Sequence, residues 1–203
     1  MLRLGAHIIS FVMHPLLMPT LLFATLMYFV PASIQPDKAH GTVLFLIFMM
    51  TFILPVINLL FFKMTGTLRS FYLPARRDRV LPFLLISLLY VAIAAMFYWK
   101  MYSLLIFKLM VIVAILSLWV TVANFFFKIS VHAVGSSGLA GILLSMATLS
   151  SVSDLIWPAI TMIVLAGLAM SSRLLLNAHN LSEVSWGGVS GFVVGFSTVG
   201  FLF

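Results

Sequence analysis

Apolar runs of about twenty residues follow one another with only short polar breaks, and this constrains the fold more than any other feature of the chain. A lipid core about 30 Å thick is crossed by roughly 20 helical residues at about 1.5 Å each. Inside lipid every backbone N–H and C=O must be paired by the protein itself, which leaves helices or a closed barrel. Long uninterrupted runs select helices, because barrel strands are short and alternate apolar with polar residues. The runs fall at 7–30, 42–62, 80–99, 103–127, 136–152, 155–176 and 184–203. The chain therefore reads as an all-α, polytopic transmembrane helical bundle of about seven spans, one domain over 1–203. Only 7% of the 203 residues are charged, against roughly 25% in soluble domains, and so apolar a surface would not stay in water.

The breaks carry the polar residues. Pro31 to His40 holds Asp37 and Lys38, and Lys63 to Arg79 is the longest polar loop. Lys100 and Tyr102 mark a tight hairpin, Lys128 to Gly135 is a loop, Ser150 to Asp154 turns the chain, and Arg173 to Glu183 leads into the last span. The first run is too long for the apolar core of a signal peptide and reads as a span. Pro15 and Pro19 predict a kink within it, and Pro82 is expected in the first turn of the third span. Gly187, Gly191 and Gly195 recur every four residues, which places them on one helix face and predicts close packing, and Gly135, Gly138 and Gly141 predict the same in the fifth span. There is no cysteine, so no disulfide and no thiolate metal site. The net charge of +7, in a chain of this kind, points to anionic lipid head groups rather than nucleic acid.

Counting spans brings distant segments together. Two spans separate the Arg69–Arg79 loop from the His132 loop, and two more separate that loop from Arg173–Glu183, so all three open on one membrane face. Eight of the 11 Lys and Arg residues fall on that side, which the positive-inside rule would make cytoplasmic. The same charges are also candidates for holding phosphate, so the face stays open. Only four acids occur, Asp37, Asp78, Asp154 and Glu183, and they form none of the Asp-rich motifs that magnesium favours. The shared face instead gathers arginine, whose planar fork matches phosphate oxygens, and histidine, which serves as nucleophile, acid or base near neutral pH.

The last polar segment concentrates this chemistry. His179 and Glu183 are four residues apart, so on a helix they share a face, where the carboxylate can fix the imidazole tautomer and stabilise an imidazolium. The start of the last helix should also present unpaired N–H groups to an anion. The bland alternative is an ion pair that only anchors the helix.

Ser172-Arg173, five residues, His179, three residues, Glu183 resembles the third signature of the type 2 phosphatidic acid phosphatase superfamily: Ser-Arg, five residues, His, three residues, Asp. Ile129-Ser130-Val131-His132 is similar to its second signature, Pro-Ser-Gly-His, and the stretch from Lys128 to Gly138 resembles bacterial members. The first signature is Lys, six residues, Arg-Pro. Arg69, six residues, Arg76, Arg77 keeps its spacing, and Arg76, Arg79 and Pro82 are the alternative counterpart. Glu183 stands where the family has Asp, and Val131 where it has Gly. His7, His14 and His40 match no signature.

The resemblance implies an integral-membrane, metal-independent phosphatase of a bacterial inner membrane, needing no cofactor and acting on a lipid phosphate or pyrophosphate. It implies His179 as the nucleophile that becomes phosphohistidine, Glu183 as its partner acid and His132 as the acid that protonates the leaving group. Arg173, Arg76, Arg79, Ser130 and Arg69 are the implied phosphate-binding residues. The alternative from a different class is a non-catalytic membrane protein that binds or transports anionic lipid through the same basic residues. A prenyltransferase would need Asp-rich metal motifs, which the chain lacks.

Overall fold

The computed structural model describes residues 2–34, 39–67, 76–100, 103–150 and 152–203. Most of the described residues are helical, with no strand among them. Seven helical stretches are long and apolar enough to cross a membrane: Leu2–Phe29, His40–Met64, Arg76–Trp99, Leu104–Phe126, Val131–Thr148, Ser153–Leu175 and Leu181–Leu202. The chain is thus an all-α, multi-pass membrane protein. All seven expected spans are present, with ends that differ from the expected ones by a few residues.

Two compact units divide the chain. One joins Met1–Ser33 to Ile129–Phe203, and the other is Ile34–Lys128. In the first unit the opening span is broken, as its prolines predict. Helix α1 (Leu2–Val12) ends before Pro15, a 3₁₀ turn follows over Pro15–Leu17, and α2 (Met18–Phe29) resumes. Eleven helical residues reach only about 16 Å, so α1 does not cross the core by itself. Helix α7 (Val131–Thr148) is the most deeply enclosed, and α8 (Ile156–Leu175) and α9 (Leu181–Leu202) flank it.

Glycine lets α7 and α9 approach backbone to backbone. A Cβ on Gly191 would lie 2.5 Å from the Val134 carbonyl oxygen, and one on Gly195 would run into the Gly138 carbonyl. A Cβ on Gly187 would sit 2.9 Å from the Ser130 oxygen. The expected glycine face is therefore the contact itself, and it continues on α7 at Gly141, whose Cβ would meet the Phe192 carbonyl.

The second unit holds α3 (His40–Phe48), α4 (Leu54–Met64), α5 (Arg76–Trp99) and α6 (Leu104–Phe126). A π-helical turn, Met49–Ile53, joins α3 to α4 just before Pro55. Pro55 has no N–H for the carbonyl of Thr51 four residues back, and the Tyr90 hydroxyl donates to that carbonyl at 2.9 Å instead. Hydroxyls of Ser87, Ser117 and Thr121 join α5 to α6. Helix α5 already includes Arg76, ahead of the expected start, so Pro82 lies inside the helix rather than in its first turn.

Candidate functional site

Local sequence at the end of α8 places two of the expected site residues together. Asn177 takes a left-handed conformation (φ 52°), which asparagine tolerates better than most residues. The Asn177 N–H donates to Leu174 O at 2.9 Å, and the Ala178 N–H donates to Arg173 O at 3.1 Å. This paired closure ends the helix and reverses the chain, bringing His179 back beside the last turn that carries Arg173.

Helix α9 then begins at an asparagine cap. Asn180 Oδ1 accepts the Glu183 N–H at 2.8 Å, satisfying a donor that has no partner within the helix. One of the N–H groups expected to face an anion at this point, that of Glu183, is therefore held by the protein itself. His179 precedes the cap and lies outside the helix. Its pairing with Glu183 runs across the helix start, not along a helix face as the spacing suggested. His179 Nδ1 lies 2.5 Å from Glu183 Oε2, with the two side chains 5% and 14% exposed. Asn180 Nδ2 donates to the other carboxylate oxygen at 3.3 Å. A carboxylate only accepts, so Nδ1 carries the proton and Nε2 carries the lone pair of the neutral ring. The extra methylene of Glu183 does not prevent this contact.

The start of α7 completes the group. Ser130 is its cap, with Oγ accepting the Ala133 N–H at 3.4 Å. His132 consequently lies in the first turn of a helix, whereas the sequence suggested a loop as far as Gly135. Ser130 N–H donates to Glu183 O at 3.2 Å, which ties the starts of α7 and α9 together. Ser130 itself is fully buried. Arg173, His14 and His179 are all near enough to His132 for their charge to act on it.

Arg173 Nη1 donates to Ser10 Oγ at 3.4 Å. Its Nε is buried and has no hydrogen-bond partner. A buried guanidinium N–H left without an acceptor costs free energy that an entering phosphate oxygen would recover.

Two residues of this group were not expected from the sequence, Ser10 and His14. His132 Nε2 lies 3.2 Å from Ser10 O, and the His14 and His132 rings meet edge to face with centroids 5.4 Å apart. The readable signal was the His14-Pro15 pair at a predicted break in an otherwise apolar run.

The remaining expected phosphate-binding residues lie elsewhere in the chain. Arg76 and Arg79 begin α5 in the second unit. Arg76 Nη1 donates to Phe126 O at 2.6 Å, Asn124 Nδ2 donates to Arg76 O at 3.1 Å, and Arg79 is buried. Arg69 lies outside the described residues. No group of three or more His, Cys, Asp or Glu side chains converges as metal ligands among the described residues.

Fold and site together define a seven-span membrane protein with a largely enclosed His–Arg–Glu cluster built from its first span and its last three. No family model matches the chain, and no curated protein or solved structure is similar to it.

The His179–Glu183 contact gives a direct test. Glu183→Gln keeps the size of the side chain but removes the charge that would balance an imidazolium. If His179 is the nucleophile, the chemical rate is expected to fall about 10²-fold or more with little change in lipid binding. An unchanged single-turnover rate would reduce Glu183 to a helix-start residue.

Proposed function

We propose that the protein is an integral-membrane phosphatase that hydrolyses a lipid phosphate or pyrophosphate through a phosphohistidine intermediate. The observation that carries this reading is the pairing of His179 with Glu183 beside Arg173, whose buried Nε lacks an acceptor. Carboxylate, imidazole and guanidinium are the groups that such chemistry needs: one to hold the nucleophile's tautomer, one to attack and one to bind the phosphate.

His179 Nε2 attacks phosphorus, and the bond from phosphorus to the lipid oxygen breaks. His132, entering this step as the imidazolium, gives a proton to that oxygen and becomes neutral, so the lipid leaves as a neutral alcohol or, from a pyrophosphate, as a monophosphate. Glu183 balances the charge that develops on the His179 ring. Water then attacks the phosphohistidine while His132 takes a proton from it, and the N–P electron pair returns to Nε2. Arg173 holds the phosphoryl oxygens throughout. Two histidines and an arginine suffice for this sequence without a metal step.

Purified protein in lipid nanodiscs, offered a panel of lipid phosphates and pyrophosphates, should release inorganic phosphate, and the rate should persist in EDTA. Release that stops on chelation and returns with magnesium would overturn the histidine mechanism. Tight binding of anionic lipids with no release from any would favour a lipid carrier instead.

A further inference from the structure

The segment Ser10–His14 belongs to no phosphatase signature, yet its Ser10 carbonyl and His14 ring both meet His132. We propose that it is the positioning element of the second histidine: the Ser10 carbonyl and the His14 ring hold His132 so that it exchanges protons through Nδ1. This rests on the phosphatase reading of the same site and extends it to residues at the opposite end of the chain.

The helix break creates the acceptor. Within an α-helix the Ser10 carbonyl would receive the N–H of His14, four residues on. Here the His14 N–H turns to Phe11 O at 3.2 Å, because Pro15 has no N–H to offer that carbonyl. The Ser10 carbonyl is thereby released at the end of α1. It lies 3.2 Å from His132 Nε2. A carbonyl only accepts, so Nε2 must carry the proton, and Nδ1 is left as the nitrogen that gains and loses one. This is the mirror of His179, whose Nδ1 is held by Glu183 and whose Nε2 is the attacking atom in the proposed mechanism.

His14 keeps the ring in place. Its own orientation is set by the 3₁₀ turn, where Nδ1 accepts the Leu16 N–H at 3.3 Å. From there its ring meets that of His132 at an interplanar angle of 83°. The same segment also reaches the phosphate-binding side, since Ser10 Oγ accepts from Arg173. Close helix contact at this level is allowed by Gly135, where a Cβ would fall 3.3 Å from Met18 and 3.4 Å from Pro15. One short break therefore touches both His132 and Arg173.

A purely structural His14 would only cap the turn, and that role can be kept while the ring is removed. Asparagine is a good cap, so His14→Asn should retain the fold and thermal stability. His14→Ala, which loses both, serves as the destabilised comparison. For a positioning role, His14→Asn should lower kcat on a lipid phosphate on the order of 10–100-fold, the scale of a misplaced catalytic group. KM should change little, and p-nitrophenyl phosphate, whose leaving group needs no proton, should be less affected.

NMR of isotopically labelled histidine reads the geometry without using activity. In wild-type protein the neutral His132 ring, assigned by its loss in His132→Gln, should show the Nε2–H tautomer. In His14→Asn it should become a tautomer mixture. An Nδ1–H tautomer in the wild type, or a tautomer and leaving-group dependence untouched by His14→Asn, would overturn the proposal. Should the wild type release no phosphate from any lipid, the phosphatase reading falls, and the tautomer measurement still decides how His132 is held.

Discussion

His179→Ala is expected to abolish turnover on every phosphate ester, whereas His132→Ala should be severely slow only where the leaving group is poor. The difference follows from what each ring does. In the proposed mechanism His179 forms the bond to phosphorus, and no choice of substrate replaces a missing nucleophile. His132 is proposed to supply a proton to the departing oxygen. A lipid alkoxide is strongly basic and needs that proton, while a nitrophenolate leaves without it. General acid assistance is worth about 10²–10⁴-fold. So His132→Ala should lose that factor on a lipid phosphate and much less in the first step on p-nitrophenyl phosphate. Equal losses of both variants on both substrates would remove the acid role from His132. The held nitrogens fit this proposed contrast, since Glu183 holds His179 at Nδ1 and the Ser10 carbonyl holds His132 at Nε2.

The second large effect is on the scaffold. Gly191→Ala and Gly195→Ala should each destabilise the protein by about 3 kcal/mol or more, at the upper end of what overpacking costs. The obstacle in both cases is the backbone of α7, at Val134 O and Gly138 O, which cannot rotate away as a side chain would. Either the helices separate or the variant fails to fold. Separation would also pull the start of α7, with His132, from the start of α9, beside His179. Activity should therefore fall together with thermal stability. Gly167→Ala is the control, because nothing lies within 4 Å of its added Cβ. Equal melting temperatures for Gly195→Ala and Gly167→Ala would show that the close helix contact is not required.

Much of this architecture is legible in the amino-acid order. Apolar runs near bilayer length identify all seven spans, since lipid admits few other solutions. Glycines at four-residue spacing identify the α9 face that meets α7. His179 and Glu183 are close in sequence, and their contact depends only on a local turn and cap.

What stayed hidden depends on competition between local alternatives or on distant partners. His132 was expected in a loop because its surroundings are polar, but Ser130 acts as a cap and starts the helix at Val131. The His179–Glu183 spacing suggested a helix face, but Asn180 takes the cap position and puts His179 ahead of the helix. Pro82 was expected in the first turn of a helix from about residue 80, but the helix already includes Arg76, four residues before that start. The hydrogen bond between His132 and Ser10 spans 122 residues. No local pattern announces it, because the acceptor is a backbone carbonyl and any residue type could supply one. The proline break announces that a carbonyl is released, but not which side chain will use it.

Covalent capture of the intermediate tests the central claim most directly. Wild-type protein in nanodiscs is mixed with a radiolabelled lipid phosphate, quenched within one turnover and digested for peptide mapping. The expected result is an acid-labile, base-stable phosphoenzyme that maps to His179, accumulates before phosphate release and is missing from His179→Ala. Phosphate release with no phosphoenzyme at any quench time, or a phosphoenzyme that persists in His179→Ala, would contradict it.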